Sequence, residues 1–397
     1  MCGLWVLIGM ISALTKMSST RHNNYDIFRY VFYNTRDGLS LYAPSTDGGF
    51  WDTNHYGPFF SMIIAPFAVL PTWLGLLLWC TLLAVLLYWA VKKYCSTVPQ
   101  KANTLISSRA NGMMVLVMPF IIWFCAHELL TALFMQQFNV AIAAIILLSF
   151  YFVEKERDEY ATLFIVIGTL VKLYGIVGLA FFFFSKHKTR YLLSLVGWSL
   201  VLFCLPMLIS SMDYQLSQYN EWFLSLSEKN DENLLSHMQN VSLLGFVRKV
   251  GYGLSNSDWW INNYSDLYLL LAGTVTMAIG YFRVGQWKNP CFRHTVLAAV
   301  LMFVCLFSTG TESSSYIIAL SGCAIWYCLS PWKRSKWDVA LMVFAFVLTS
   351  LSPSDLFPAY IRKEIIQPYA LKALPVILIW GKTCYELITK NYDTTEF

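Results

Sequence analysis

Asp26 stands near the start of an aromatic stretch, YDIFRYVFY, with Arg29 and Tyr30 three and four positions further on. If this stretch lies on a surface as a short helix, those three side chains share one face. A carboxylate so placed at the mouth of a cavity can act as general base on a hydroxyl. The simpler alternative is a surface ion pair with Arg29, which contributes little. Both readings stand at this level. Lys172 is the second residue with chemistry in reach, because Tyr160 to Ser185 carries no other charge. A central lysine in a membrane span costs about 3 kcal/mol or more and marks a functional site by default. Its ammonium suits an anionic headgroup such as a lipid phosphate, unless it snorkels to the interface. Gln136, Gln137 and Asn139 interrupt two apolar runs and offer amides either to sugar hydroxyls or to the backbone of a turn. His127 with Glu128 reads as a structural pair. Arg248, Lys249 and Glu312 are further candidates with structural roles as the first reading.

The elements that must position these residues are of membrane type. Of 397 residues, 57% are hydrophobic and 13% charged, with mean hydropathy +0.53. Soluble domains carry about a quarter charged residues. Apolar runs of about 20 residues, bounded by charged clusters, recur along the chain. The fold class is therefore an all-α polytopic membrane protein with about 12 transmembrane helices. The net charge of +5 follows from basic inner loops and needs no nucleic-acid partner. Residues 1–15 lack a basic leader and an A-x-A site, and read as an uncleaved, short first span. The ten cysteines form no CxxC pair and no Cys/His cluster, so neither a disulfide framework nor a zinc site is expected. No phosphate loop, GxGxxG, HExxH or Asp-x-Asp pair is present, which argues against an ATP-driven pump and a cytoplasmic nucleotide-sugar transferase.

Two long polar loops stand out, at 16–71 and 211–263. The first holds Arg36, Asp37, Asp47, Asp52 and His55 besides Asp26 and Arg29. Tyr160 to Ser185 is flanked by EKERDE and SKHKTR. This segment reads either as one span with a buried lysine or as a hairpin turning at Lys172–Gly175; the hairpin is preferred, because it returns both charged loops to one face and Gly175 and Gly178 suit such a turn. With it, the chain makes twelve passes, both termini are cytoplasmic, and lysine and arginine concentrate in short inner loops. Three segments follow: 1–210, the loop 211–263, and a C-terminal transmembrane module at 264–397.

Several short motifs recur in a familiar order. They are Y-D-x-F-x-Y-x-F-Y, then D-G-x-x-L-Y (Asp37 to Tyr42), then H-Y-G-P-F-F-x-x-x-x-A-P-x-x-x-L-P (His55 to Pro71). Gln137-Phe-Asn139 and Lys172-Leu-Tyr174 follow. The pattern resembles the GT-C membrane glycosyltransferases of family 87, a group of polyprenyl-phosphomannose-dependent mannosyltransferases. The resemblance implies a GT-C fold and transfer of a sugar, mannose in the family, from a polyprenyl-phosphate donor to a glycan or glycolipid acceptor. It places this chemistry on the extracytoplasmic side of the cell membrane, with inversion and with Asp26 as general base. It implies Lys172, Arg29 and Arg248 as cations for the donor phosphate. His55, Tyr56, Gln137, Asn139, Tyr174 and Glu312 would line the substrate site, with no cofactor and no assigned metal. Three departures are visible: Gln136 stands where the family usually has glycine, Leu173 where it has proline, and TGTESSSY (Thr309 to Tyr316) where some members have an S-P-x-S-W-type segment. Two other classes compete. A lipid-linked sugar transporter would favour internal repeats and broken helices at matched positions, which are not evident. A polysaccharide polymerase would lean on arginines in its outer loops.

Overall fold

The computed structural model describes residues 2–19, 22–45, 49–50, 52–98 and 117–393. Asp47 and the beginning of the apolar run near residue 112 lie outside them. The chain is helical, with no strand among the described residues. It forms two compact units: one from Met1–Tyr94 with Leu129–Lys229, the other from Cys95–Glu128 with Asn230–Phe397.

In chain order, the helices of the first stretch are α1 (Cys2–Ser18), α2 (Asn23–Asp37), α3 (Phe60–Ala68) and α4 (Thr72–Cys95). α2 turns 90° from α1. Its residues Tyr25, Phe28, Val31 and Thr35 are buried at helical spacing, whereas Arg36 and Asp37 are exposed. The expected surface helix at YDIFRYVFY is thus part of a longer amphipathic one. Gly38 ends it at φ 72°, with its N–H bonded to Asn34 O. That left-handed position is one only glycine adopts at no steric cost. Tyr25 fastens α2 to the next two helices: its hydroxyl donates to Phe67 O at 3.0 Å and lies where a Gly75 side chain would stand.

After α5 (Val117–Phe124) and α6 (Ala126–Phe134) come α7 (Asn139–Glu154) and α8 (Asp158–Lys172), then a 3₁₀ segment at Leu173–Phe184. The 3₁₀ segment runs back along α8. A Cβ on Gly175 would lie 2.4 Å from Gly168 C, and one on Gly178 would lie 2.6 Å from Ile165 Cγ1. Each pair is centred on the Lys172 turn, which defines an antiparallel hairpin. Ile145 and Ser149 of α7 approach Gly168 and Gly178. Small residues at these crossings let three backbones come close, the usual device between membrane helices.

α9 (Lys188–Cys204) and α10 (Met212–Asn233) complete the chain's first half. Leu192, Leu193, Val196 and Leu200 of α9 remain exposed, as a lipid-facing helix requires. By length and composition alone, Thr72–Cys95, Asp158–Phe184 and Lys188–Leu208 pass as able to cross a membrane, although the second of them is folded back on itself at Lys172. Counting the bent pairs α1–α2 and α5–α6 as single spans brings the number to five. The expected twelve passes would additionally need shorter apolar helices such as Asn139–Glu154, Leu267–Tyr281 and Pro290–Leu306.

The second unit is built on α11 (Leu243–Ser255), α12 (Leu267–Tyr281), α13 (Pro290–Leu306), α14 (Tyr316–Cys328), α15 (Lys336–Phe344) and α16 (Leu374–Thr389). α13 and α14 are buried nearly throughout and meet closely at Gly322, where a Cβ would stand 2.7 Å from Ala298 O. Two buried ion pairs tie this unit. Lys372 Nζ lies 2.9 Å from Glu128 Oε1 and also donates to Ser313 O and Oγ. Arg334 reaches Glu386 at 2.8 Å, and the same carboxylate accepts from Trp326 Nε1. The ion-pair partner of Glu128 is thus Lys372, rather than the adjacent His127.

Breaking such a pair leaves an uncompensated charge, at a cost of about 3–5 kcal/mol. Lys372→Met is therefore expected to lower the melting temperature of the detergent-solubilised protein sharply. Adding Glu128→Leu to it should recover most of the loss, since a well-packed apolar pair replaces a buried ionic one at little cost. Thermal unfolding followed by tryptophan fluorescence checks both.

Candidate active site

The site of the first unit is assembled on the turn from Met135 to Asn139, between α6 and α7. One side of the turn holds the N-terminus of α2. Asn24 Nδ2 donates to Met135 O at 2.8 Å, and the Tyr25 N–H donates to Gln136 Oε1 at 3.2 Å. Gln136 is buried with φ 55°, a left-handed conformation that costs a non-glycine residue about 1 kcal/mol or more. Its side chain offsets the strain: Oε1 serves α2, Nε2 donates to Phe134 O, and its own carbonyl accepts from Trp79 Nε1. Glycine at this position would fit the backbone but could not hold α2.

The other side of the turn holds the hairpin tip. Lys172 Nζ donates to Asn139 Oδ1 at 2.7 Å, and Asn139 Nδ2 donates to Gln137 Oε1 at 2.7 Å. The ammonium lies 4.8 Å from the centre of the Tyr174 ring and 5.9 Å from that of Tyr56. Both distances fall within cation–π range. Lys172 is thereby held against one neutral amide and two aromatic faces.

His55 to Phe60 lies along the hairpin tip. The Gly57 N–H donates to Val171 O at 2.9 Å, and a Cβ on Gly57 would stand 2.1 Å from Leu170 O. Asn54 clamps Tyr56 by bonding both its N–H and its carbonyl. The Tyr56 hydroxyl accepts from the Phe138 N–H, so the same tyrosine touches the turn and faces Lys172. Beneath lies an aromatic nest of Phe28, Tyr56, Phe60, Trp79 and Phe138, with ring centres 4.9–6.3 Å apart.

Asp26 occupies the first turn of α2, immediately after the residue bonded to Gln136. Its Oδ2 lies 2.6 Å from His22 Nδ1, and both side chains are about one-fifth exposed. Burial raises the Asp26 carboxyl above the ordinary carboxylate value, against the opposing pull of His22 and Arg29. A carboxylate made more basic and still open to solvent is suited to proton abstraction.

Of the residues singled out in the sequence, Lys172, Asn139, Gln137, Tyr56 and Tyr174 meet directly, and Asp26 is pinned to the same turn through its neighbours. Arg29 is occupied elsewhere, donating to Thr72 Oγ1 at 2.7 Å and to Ala68 O. His55 faces Ser225 Oγ at 3.0 Å, and its carbonyl accepts from Trp222. Arg248 and Glu312 belong to the second unit. Arg248 pairs with Asp266 at 3.0 Å, and Glu312 caps the turn at Ser313–Ser315. His22, Asn24 and Asn54 were not singled out in the sequence. Only His22 left a signal there, standing one helical turn before Asp26.

The described chain is helical, has apolar helices able to cross a membrane, and brings the start of the Asp26 helix and the Lys172 hairpin to one turn. The model of glycosyltransferase family 87 matches residues 54–309, more than half of the chain. The chain belongs to that family and is a glycosyltransferase. The matched segment contains His55, Tyr56, Gln137, Asn139, Lys172, Tyr174 and Arg248, and begins after Asp26. No curated protein matches the chain.

The close approach at Gly57 yields a direct test. Gly57→Val should lower the melting temperature and abolish activity, because its side chain collides with the backbone of the hairpin tip. Gly197→Ala, where a Cβ meets nothing within 4 Å, should leave both unchanged. Melting curves and sugar-transfer assays on the two variants decide it.

Proposed function

We propose that the chain transfers a sugar, mannose by the family resemblance, from a polyprenyl-phosphate donor to a hydroxyl of a lipid or glycan acceptor on the extracytoplasmic side. The observation that carries this reading is Lys172, whose ammonium is held in an amide-and-aromatic cradle on the same turn that anchors the Asp26 helix.

The chemistry follows from these two groups. Asp26 takes the proton of the acceptor hydroxyl as the oxygen attacks the anomeric carbon of the donor. The bond from that carbon to the phosphate oxygen breaks, and its electron pair leaves with the phosphate. A single displacement inverts the anomeric centre. Phosphate is a good leaving group and needs no general acid, so one carboxylate suffices where glycoside hydrolases usually need two. Negative charge grows on the departing phosphate, and Lys172 stabilises it there. Asn139, itself buried, holds the lysine; Gln137, half-buried, holds Asn139 and is the amide offered to sugar hydroxyls, while Tyr56 and Tyr174 wall the cradle. Arg29 and His55 serve this site by holding α3 and the His55–Phe60 segment.

Asp26→Asn is expected to lower transfer about 10²–10⁴-fold with donor affinity retained. Lys172→Met is expected to weaken donor binding and to slow turnover. Because the Asp26 carboxyl is raised, the acid limb of the rate profile should lie above the ordinary carboxylate value, with activity lost as pH falls through it. Steady-state kinetics of reconstituted protein across pH supply the check. Full turnover by Asp26→Asn would remove the proposed base.

A further inference from the structure

We infer that His22 is a positioning residue for the transfer reaction, acting by holding the Asp26 carboxylate in its reactive orientation. The inference rests on the reading of Asp26 as the base.

His22 is the N-cap residue of α2, with φ −115° and ψ 28°. This position favours Ser, Thr, Asp or Asn, whose oxygens bond the free N–H groups of the first turn. Imidazole is a poor substitute, and the His22 side chain makes no capping bond. Its Nδ1 lies instead 2.6 Å from Asp26 Oδ2, one helical turn along. That is hydrogen-bonding distance between the ring nitrogen and the carboxylate. The bond engages one carboxylate oxygen. Oδ1 has no hydrogen-bond partner among the described residues and is the oxygen left for the acceptor hydroxyl.

Among the described residues, the other basic side chain acting on Asp26 is Arg29. Arg29 lies one turn further along α2 and adds its charge to the field at Asp26. Its guanidinium, however, is held by Thr72 and the Ala68 carbonyl. The carboxylate is attached to a helix by one rotatable carbon, so without His22 its oxygens would turn toward water. With His22, one oxygen is fixed and the other is aimed. The proton balance is simple: the acceptor O–H bond breaks, an O–H bond forms on Asp26 Oδ1, and His22 keeps its own Nδ1 proton throughout.

The test uses full-length protein in liposomes, with short-chain polyprenyl-phosphate mannose as donor and octyl mannoside as acceptor. kcat and donor KM are measured for wild type, His22→Ala, His22→Asn, Asp26→Asn and the His22→Ala/Asp26→Asn double variant. His22→Ala should lower kcat about 10–100-fold, the range for one hydrogen bond to a charged group, with donor KM unchanged. His22→Asn places an amide N–H near the position of Nδ1 and should recover most of that loss, as should imidazole added to His22→Ala. The double variant should be no slower than Asp26→Asn, because the two residues act as a unit. Normal kcat for His22→Ala, with Asp26→Asn inactive, would overturn this inference and leave the base intact. A loss in His22→Ala that neither asparagine nor imidazole restores, with a lowered melting temperature, would overturn it as well. Full turnover by Asp26→Asn would overturn the base and this inference together.

Discussion

A lysine at the tip of an apolar hairpin needs partners, and the arrangement of the first unit follows from how those partners are supplied. Lys172 is half-buried at the hairpin tip, within cation–π range of Tyr56 and Tyr174. Asn139 gives it a hydrogen-bond acceptor without giving it a counter-charge. Lys372 is held differently, by the buried carboxylate of Glu128. Holding Asn139 in place then requires the Met135–Asn139 turn, and holding that turn requires Gln136, Trp79 and the start of α2.

The same turn explains how two chemical groups far apart in sequence are set to one frame. α2 ends on it through Asn24 and Tyr25, and the hairpin ends on it through Lys172. The aromatic nest beneath makes the frame stiff, since Phe28 of α2, Phe60 beside α3, Trp79 of α4 and Phe138 of the turn all share it. Edge-to-face and offset rings contribute beyond their buried area. Positioning of this kind supplies much of the barrier reduction in a displacement reaction.

How much of this was legible in the sequence varies with the physical origin of each feature. The hairpin was readable, because a lone charge and two glycines at helical spacing leave a mark in the chain itself. The helical face of Asp26 was readable for the same reason, and the amides near Lys172 were visible as polar breaks. Gln136 was visible only as a departure from the family's glycine. Its strain and its bond to Tyr25 depend on a contact between residues 111 positions apart. The Glu128–Lys372 pair spans 244 positions, and no local pattern joins them. Arg29 and Arg248 drew attention as cations, but charge alone does not say which carbonyls and carboxylates will occupy it. The twelve-pass topology came from charge bias, whereas helix length and composition among the described residues give three to five membrane-capable stretches.

The central claim is that a lipid-phosphate sugar is consumed at the Asp26–Lys172 site. The most direct measurement offers the reconstituted protein a panel of polyprenyl-phosphate sugars with a glycolipid acceptor, and follows both the freed polyprenyl phosphate and the anomer of the product. The expected result is release of polyprenyl phosphate from one donor, with an inverted glycosidic bond in the product and dependence on both Asp26 and Lys172. Silence across the panel, with the intact lipid-linked sugar crossing the bilayer, would contradict the account and identify a transporter.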